Sequence, residues 1–257
     1  MNIKSLMMKF YIKCKERKFS DGVHQLKYIV RRKRNAPLVV VFSAFAGGEG
    51  GTPSYNYIRT LMPIKKAALL FILDDLIDDV NTGSYYLGTN GDFWGIDAVI
   101  RLISDQQKKL GADSLIMVGS SKGATAAIMF GLKMNANLVI AGAPQYYIGS
   151  YLDCNAHRHL LPHLLGATFT QSDIDKLDQI LPRLVSDCAN MHHTQFALHY
   201  STKEHTYEEH ICALVRDLKN YGYDLTEDIE DYCEHGDVRK FFPRFLTTTL
   251  RRSLSSK

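Results

Sequence analysis

The chain has 257 residues, 46% of them hydrophobic and 23% charged, a balance that supports one sizeable core and a single domain over 1–257. A formal net charge of +4 is too small to argue for nucleic-acid binding by itself. No apolar run approaches the ~18 residues that a membrane span needs.

Taken in order, the chain opens on a stretch crowded with Lys and Arg up to Arg34. Residues 24–42 read as a β-hairpin: His24 to Val30 alternates, Arg31 to Pro37 is a charged turn, and Leu38 to Phe42 is an all-apolar run. The glycine-rich segment 43–51 leads into a helix near 54–62. A second buried strand, Ala67 to Leu73, ends at Asp74-Asp75 and is followed by a loop over 81–91. Apolar residues at helical spacing (Ile96, Val99, Ile100, Ile103) predict a helix from Phe93 to Leu110. A strand at Leu115 to Val118, a helix at Lys122 to Met134 and a strand at Leu138 to Ala141 follow. Residues 145–190 break this rhythm and read as a helical, lid-like insertion. A strand at 195–200, an amphipathic helix at 205–221 and a basic, aromatic closing helix from 238 to 250 complete the chain. Strands alternating with helices imply an α/β fold with a mostly parallel central sheet flanked by helices.

Gly119-Ser120-Ser121-Lys122-Gly123 matches G-x-S-x-G. The pattern gains meaning from its setting, a buried strand before it and a helix-forming stretch after it, which is the strand–turn–helix of a nucleophile elbow in an α/β-hydrolase fold. Ser121 would be the nucleophile, and the Lys122 N–H would face the developing oxyanion at a helix N-terminus. An ordinary tight βα turn is the competing reading; G-x-G-x-x-G and the phosphate-binding P-loop are both absent. In this fold the acid and then the base follow the serine. His235, in the loop Asp231 to Asp237 with Gly236 beside it, is the expected base, against His205 and His210. Glu204, after the strand at 195–200, is the expected acid, with Asp224 and Asp228 as alternatives. A backbone N–H of Ser43 or Ala44, after the strand at 38–42, would complete the oxyanion hole. Tyr85 and Tyr86, with Gln145 and Tyr146, fall in loops on the same sheet edge, where tyrosine rings suit stacking on sugars; half-buried packing is the plainer role.

The stretches Phe71 to Asp75, Gly83 to Gly88, Gly119 to Gly123 and Gly142 to Tyr146, with His199 to Tyr207 and Glu234-His235-Gly236-Asp237, resemble bacterial capsule-biosynthesis proteins of the α/β-hydrolase superfamily. Capsular polysaccharide O-acetyltransferases are among them, and accessory Sec-system proteins linked to adhesin glycan acetylation look more distantly similar. The resemblance implies acetyl transfer from acetyl-CoA to a sugar hydroxyl through an acetyl-serine, with no metal. Ser121 would be nucleophile, His235 base and a carboxylate after the strand at 195–200 the acid; this chain carries Glu204 where Asp is commoner. A serine esterase or deacetylase of the same fold would use the same triad, and a non-catalytic capsule-assembly component would not need Ser121.

The cysteines Cys14, Cys154, Cys188, Cys212 and Cys233 are odd in number and form no CxxC, which fits free thiols rather than a disulfide framework or a zinc site. Lys4, Lys9 and Lys13 interrupt the N-terminal apolar residues, so no signal peptide is expected and the location is read as cytoplasmic. The expected partners are acetyl-CoA and a capsular polysaccharide, not nucleic acid. Peripheral contact with membrane-associated capsule machinery at the inner membrane and a homo-oligomeric state both stay open.

Overall fold

The structure, a computed structural model, describes residues 3–45, 52–77, 83–154, 156–189 and 193–255. Its centre is an eight-stranded sheet: β1 (Glu16–Ser20), β2 (Gln25–Arg31), β3 (Leu38–Phe42), β4 (Ala68–Ile72), β5 (Leu115–Ser120), β6 (Leu138–Gly142), β7 (Gln195–Ser201) and β8 (Leu225–Glu230). The spatial order is β1-β2-β4-β3-β5-β6-β7-β8. The β1/β2 and β2/β4 pairs are antiparallel and all others parallel. Every residue of β3, β4, β5 and β6 is buried, which is why these strands are continuous apolar runs: helices cover both faces.

Between β2 and β3 the expected hairpin is not formed. β4 lies between them, antiparallel to β2 and parallel to β3, and β2 makes its hairpin with β1 instead. The run at 31–37 is a connection between non-neighbouring strands.

The helices are α1 (Ile3–Lys15), α2 (Ile58–Leu61), α3 (Trp94–Leu110), α4 (Lys122–Lys133), α5 (Ile148–Leu152), α6 (Leu161–Leu165), α7 (Gln171–Asp178), α8 (Ile180–Cys188), α9 (Cys212–Asn220, entered through a π-helical turn at Tyr207–Ile211) and α10 (Val238–Ser253). α3 buries Val99, Leu102, Ile103 and Leu110 on one face and stops at Gly111, whose φ of 62° closes a left-handed cap. α4 is buried from Lys122 to Leu132 and packs on β3, β5, β6 and α8; its small residues let it lie close to the sheet. α10 buries Val238, Phe242, Leu246 and Leu250, a stripe repeating every four residues, against the C-terminal halves of β6 and β7. In the 145–190 segment α5 packs on α7 and α8 packs on α4 and α9, so it is helical and partly an ordinary crossover between β6 and β7.

Candidate active site

The register of the parallel strands aligns Ser120 with Gly142 and Gly142 with His199, so the chain leaves β5, β6 and β7 along one sheet edge. Ser121 stands in the turn from β5 to α4 with φ 52° and ψ −129°, a backbone conformation that L-residues avoid. Its N–H donates to Gly142 O at 2.7 Å, and its carbonyl accepts from Ala124 and Thr125 in the first turn of α4. The glycine spacing is steric. A Cβ on Gly119 would sit 2.0 Å from the Gly123 carbonyl oxygen, and one on Gly123 would sit 2.6 Å from that of Phe42.

His235 begins a 3-10 turn between β8 and α10. Its Nε2 is 2.8 Å from Ser121 Oγ, and its Nδ1 is 2.8 Å from Glu204 Oε2. Glu204 is buried in the turn after β7, where the Thr206 hydroxyl donates to its other oxygen at 2.5 Å. Burial pushes this carboxyl up, but the bond and charge of His235 and the Thr206 hydroxyl outweigh that and hold it below the usual value. A carboxyl lowered on folding stabilises the protein above its unfolded pKa, and this contribution fades as pH falls through the folded value. The melting-temperature difference between wild type and Glu204→Gln should therefore shrink on acidification from neutrality to below about pH 4. Thermal melts across pH check this, and a difference independent of pH would contradict it.

The alternatives have other partners. Asp224 accepts from Gln195 at 2.6 Å, at the opposite end of β8, and Asp228 faces Nδ1 of buried His199 at 2.7 Å. His210 is buried, which lowers its pKa to about 4, and its Nδ1 accepts the Tyr147 N–H. His205 is exposed, its ring 5.8 Å from that of His235.

At the oxyanion position the Lys122 N–H heads α4, where the helix supplies no acceptor. The expected donors of the β3 loop are both engaged: the Ser43 N–H donates to the Tyr86 hydroxyl at 2.7 Å and the Ala44 N–H to Asn56 Oδ1 at 2.9 Å. Both N–H groups thus have partners in this structure. Residues 46–51 of the same glycine-rich loop lie outside the described residues. The Lys122 side chain turns inward, fully buried, to Asp74 Oδ2 at 2.5 Å. Asp74 also accepts from Ser84 N and Oγ and from Tyr86 N.

Tyr85, Tyr86, Gln145 and Tyr146 are each fully buried. Their rings present no face to a sugar, so stacking by these tyrosines is excluded in this conformation. Tyr85 and Tyr86 both have positive φ (56° and 60°), which turns the loop after β4 into the core. The Tyr86 hydroxyl donates to Ile72 O, that of Tyr146 to Asp217, and that of Tyr85 to Gln145 Oε1. Gln145 itself reaches Ser121, its Nε2 3.0 Å from Ser121 Oγ. The sequence reading missed a half-buried stack of Phe45, His157 and Tyr151, with His157 centroids 5.3 Å and 5.1 Å from the two rings. It also missed Tyr57, whose hydroxyl donates to Ser120 Oγ at 2.6 Å. No local pattern marks either.

Among the described residues no group of three or more His, Cys, Asp or Glu is arranged to hold a metal ion, and no helix is long and apolar enough to cross a membrane.

No family model matches the sequence, and no curated protein matches it. Solved structures do. The capsule O-acetyltransferase of Neisseria meningitidis serogroup A superposes with a TM-score of 0.74 at 17% identity, covering 91% of this chain and 93% of that one. A mutant of that protein in complex with CoA superposes at 0.73, with 18% identity over 91% and 94% of the chains. The glycosylation-associated Gap123 complex of Streptococcus agalactiae gives 0.72 at 21% identity, covering 93% of this chain and 46% of that one. An S-formylglutathione hydrolase of Agrobacterium tumefaciens gives 0.61 at 16% identity over 90% and 92%. These likenesses, with the strand order and the elbow at Ser121, establish that the chain has the α/β-hydrolase fold.

Proposed function

We propose that this protein is a serine O-acetyltransferase that moves an acetyl group from acetyl-CoA to a hydroxyl of a bacterial capsular polysaccharide. The observation that carries the reading is the continuous chain Ser121 Oγ, His235 and Glu204, linked by two 2.8 Å contacts on the strained elbow. The likeness to a capsule O-acetyltransferase, one structure of which contains CoA, supports the choice of donor and acceptor.

The cycle has two halves. His235 Nε2 takes the Ser121 proton as Oγ bonds to the acetyl carbon; the C–S bond breaks and the leaving thiolate takes the proton from His235. A glycan hydroxyl then gives its proton to His235 and attacks the acetyl-serine; the bond from Oγ to carbon breaks and Oγ takes the proton back. Glu204 keeps the imidazole in the tautomer with Nδ1–H and stabilises the imidazolium. The Lys122 N–H is the donor at the carbonyl oxygen. The stack of Phe45, His157 and Tyr151 offers the aromatic platform for a sugar that the buried tyrosines do not. The part of the segment 145–190 that carries Tyr151 and His157 acts as a cover that keeps water from the acetyl-serine, within a single domain.

Helix α1 fits a peripheral partner surface: Leu6, Met7 and Phe10 are exposed, and it carries lysines with no acidic residue in its first turn. A serine esterase is the second reading, favoured by the likeness to S-formylglutathione hydrolase.

The test follows acetyl-CoA consumption and acetylated glycan together, for wild type and Ser121→Ala, across anionic capsule polysaccharides. CoA release that needs one polysaccharide, with the acetyl group recovered on it and lost in Ser121→Ala, is the expected result. Release without any glycan, or cleavage of simple esters alone, would assign the esterase; equal turnover by Ser121→Ala would remove the serine mechanism.

A further inference from the structure

We infer that Gln145 is a catalytic residue, its carboxamide donating a hydrogen bond to Ser121 Oγ that stabilises the serine alkoxide in both halves of the reaction. The inference rests on Ser121 being the nucleophile.

Gln145 follows β6 and is fully buried beside the elbow. Its backbone is clamped to α4: the Gln145 N–H donates to Thr125 Oγ1 and that hydroxyl donates to Gln145 O, both at 2.9 Å. Thr125 lies one helical turn beyond Ser121, so one helix fixes both the nucleophile and the amide that faces it. The carboxamide has a defined sense. Its Oε1 faces the Tyr85 hydroxyl and Thr125 Oγ1, each at 3.3 Å. Its Nε2 is 3.0 Å from Ser121 Oγ and 3.4 Å from His235 Nε2. Ser121 has one proton, which it directs at His235, so Oγ can only accept from Gln145.

A hydrogen bond strengthens as its acceptor gains charge. Oγ is most negative as it attacks the donor carbonyl and again as it leaves the acetyl-serine, and it is a poor acceptor as an ester oxygen between the two. The Gln145 bond is therefore stronger in the two transition states than in the states around them, which is the condition for catalysis rather than mere binding. It acts at Ser121 Oγ, a different oxygen from the substrate carbonyl that the Lys122 N–H would serve.

The experiment is the rate at which a fluorophosphonate probe labels Ser121, measured across pH with the intact protein. It needs neither acetyl donor nor glycan. Gln145→Met, which keeps length and loses the donor, should be labelled about 10²-fold more slowly, taking the loss of one oxyanion donor as the scale for a lost bond to a charged reacting oxygen. Gln145→Glu should be slower as well and should shift the pH midpoint of labelling upward, because a carboxylate close to His235 Nε2 favours the imidazolium. Gln145→Met labelled within about twofold of wild type, with a matching thermal melt, would overturn the proposal; the twofold limit lies far below the ~10²-fold loss. If that variant fails to fold, Gln145→Leu removes the donor with a different apolar side chain: slower labelling of a variant that melts like wild type supports the proposal and unchanged labelling overturns it. Wild-type protein that the probe does not label at Ser121, with Ser121→Ala as control, would instead sink the nucleophile reading beneath it.

Discussion

Glu204→Gln should lower kcat/KM for the acyl donor by about 10⁴-fold while leaving the fold intact, and His235→Ala should cost at least as much. The size follows from which way the new amide must face. The Thr206 hydroxyl donates to Glu204 Oε1, and His235 Nδ1–H donates to Oε2. A glutamine that keeps the Thr206 hydroxyl as its donor turns its oxygen that way, which points its NH₂ at His235. Nδ1 must then accept, the proton moves to Nε2, and the imidazole has no lone pair for the Ser121 hydroxyl 2.8 Å away. The wrong tautomer, more than the lost charge, disables the base. Removing the Thr206 hydroxyl as well should restore part of the rate, since the amide is then free to turn its oxygen to Nδ1. Turnover measured under first-order conditions for the single and double variants checks this. A single variant retaining more than about a tenth of wild-type kcat/KM would mean that His235 does not depend on Glu204, because tautomer loss predicts a deficit near 10⁴.

The parts of this molecule that were legible in the sequence are those where a local rule has one cause. G-x-S-x-G reads correctly as an elbow because both glycines are forced by backbone oxygens within 3 Å of where a Cβ would lie. β3, β4, β6 and the first four residues of β5 read correctly because two-sided burial favours apolar residues there. His235 and Glu204 were proposed from chain order alone, and the fold brings them into one hydrogen-bonded chain with Ser121. Non-local features were not legible. β8, Leu225–Glu230, is a half-exposed, acidic edge strand whose pattern carries no clear alternation. β2 looked like the partner of β3 because the two are close in sequence, and nothing local shows that β4 separates them. Tyr85 and Tyr86 read as candidates for stacking on a sugar, with half-buried packing as the plainer role, because their loop follows a sheet strand on the same edge as the elbow. Two consecutive positive-φ residues and a buried carboxylate at Asp74 draw that loop inward, and neither the φ values nor the pairing leaves a pattern in the residue types.

The Lys122–Asp74 pair should be the most sensitive structural point of the site. Both side chains are fully buried, and Asp74 oxygens also take the Ser84 N–H, the Ser84 hydroxyl and the Tyr86 N–H. Burial pushes the Lys122 amine down and Asp74 pulls it back up, so removing either partner strands a charge without water. Asp74→Ala or Lys122→Met should each destabilise the fold by about 3–5 kcal/mol, on the order of 10 °C in melting temperature for a chain of this size. Apolar replacement of both at once should recover much of this, because a buried pair barely outweighs its own desolvation. Activity should not follow stability. Lys122 follows Ser121, and Asp74 fixes the loop whose Tyr86 hydroxyl holds the Ser43 N–H, so the pair ties the elbow to the loop after β3. A double variant Lys122→Met/Asp74→Leu that melts near wild type and labels Ser121 at least ~10-fold more slowly, a partial loss against the ~10²-fold or more for a removed oxyanion donor, would separate the two roles. Single variants melting within about 2 °C of wild type would mean that the pair carries little of the folded state's stability, since that shift corresponds to under ~1 kcal/mol. A double variant that regains both stability and labelling rate would reduce the ion pair to packing, and the position of the elbow would then rest on the glycine contacts and the Tyr57–Ser120 hydrogen bond.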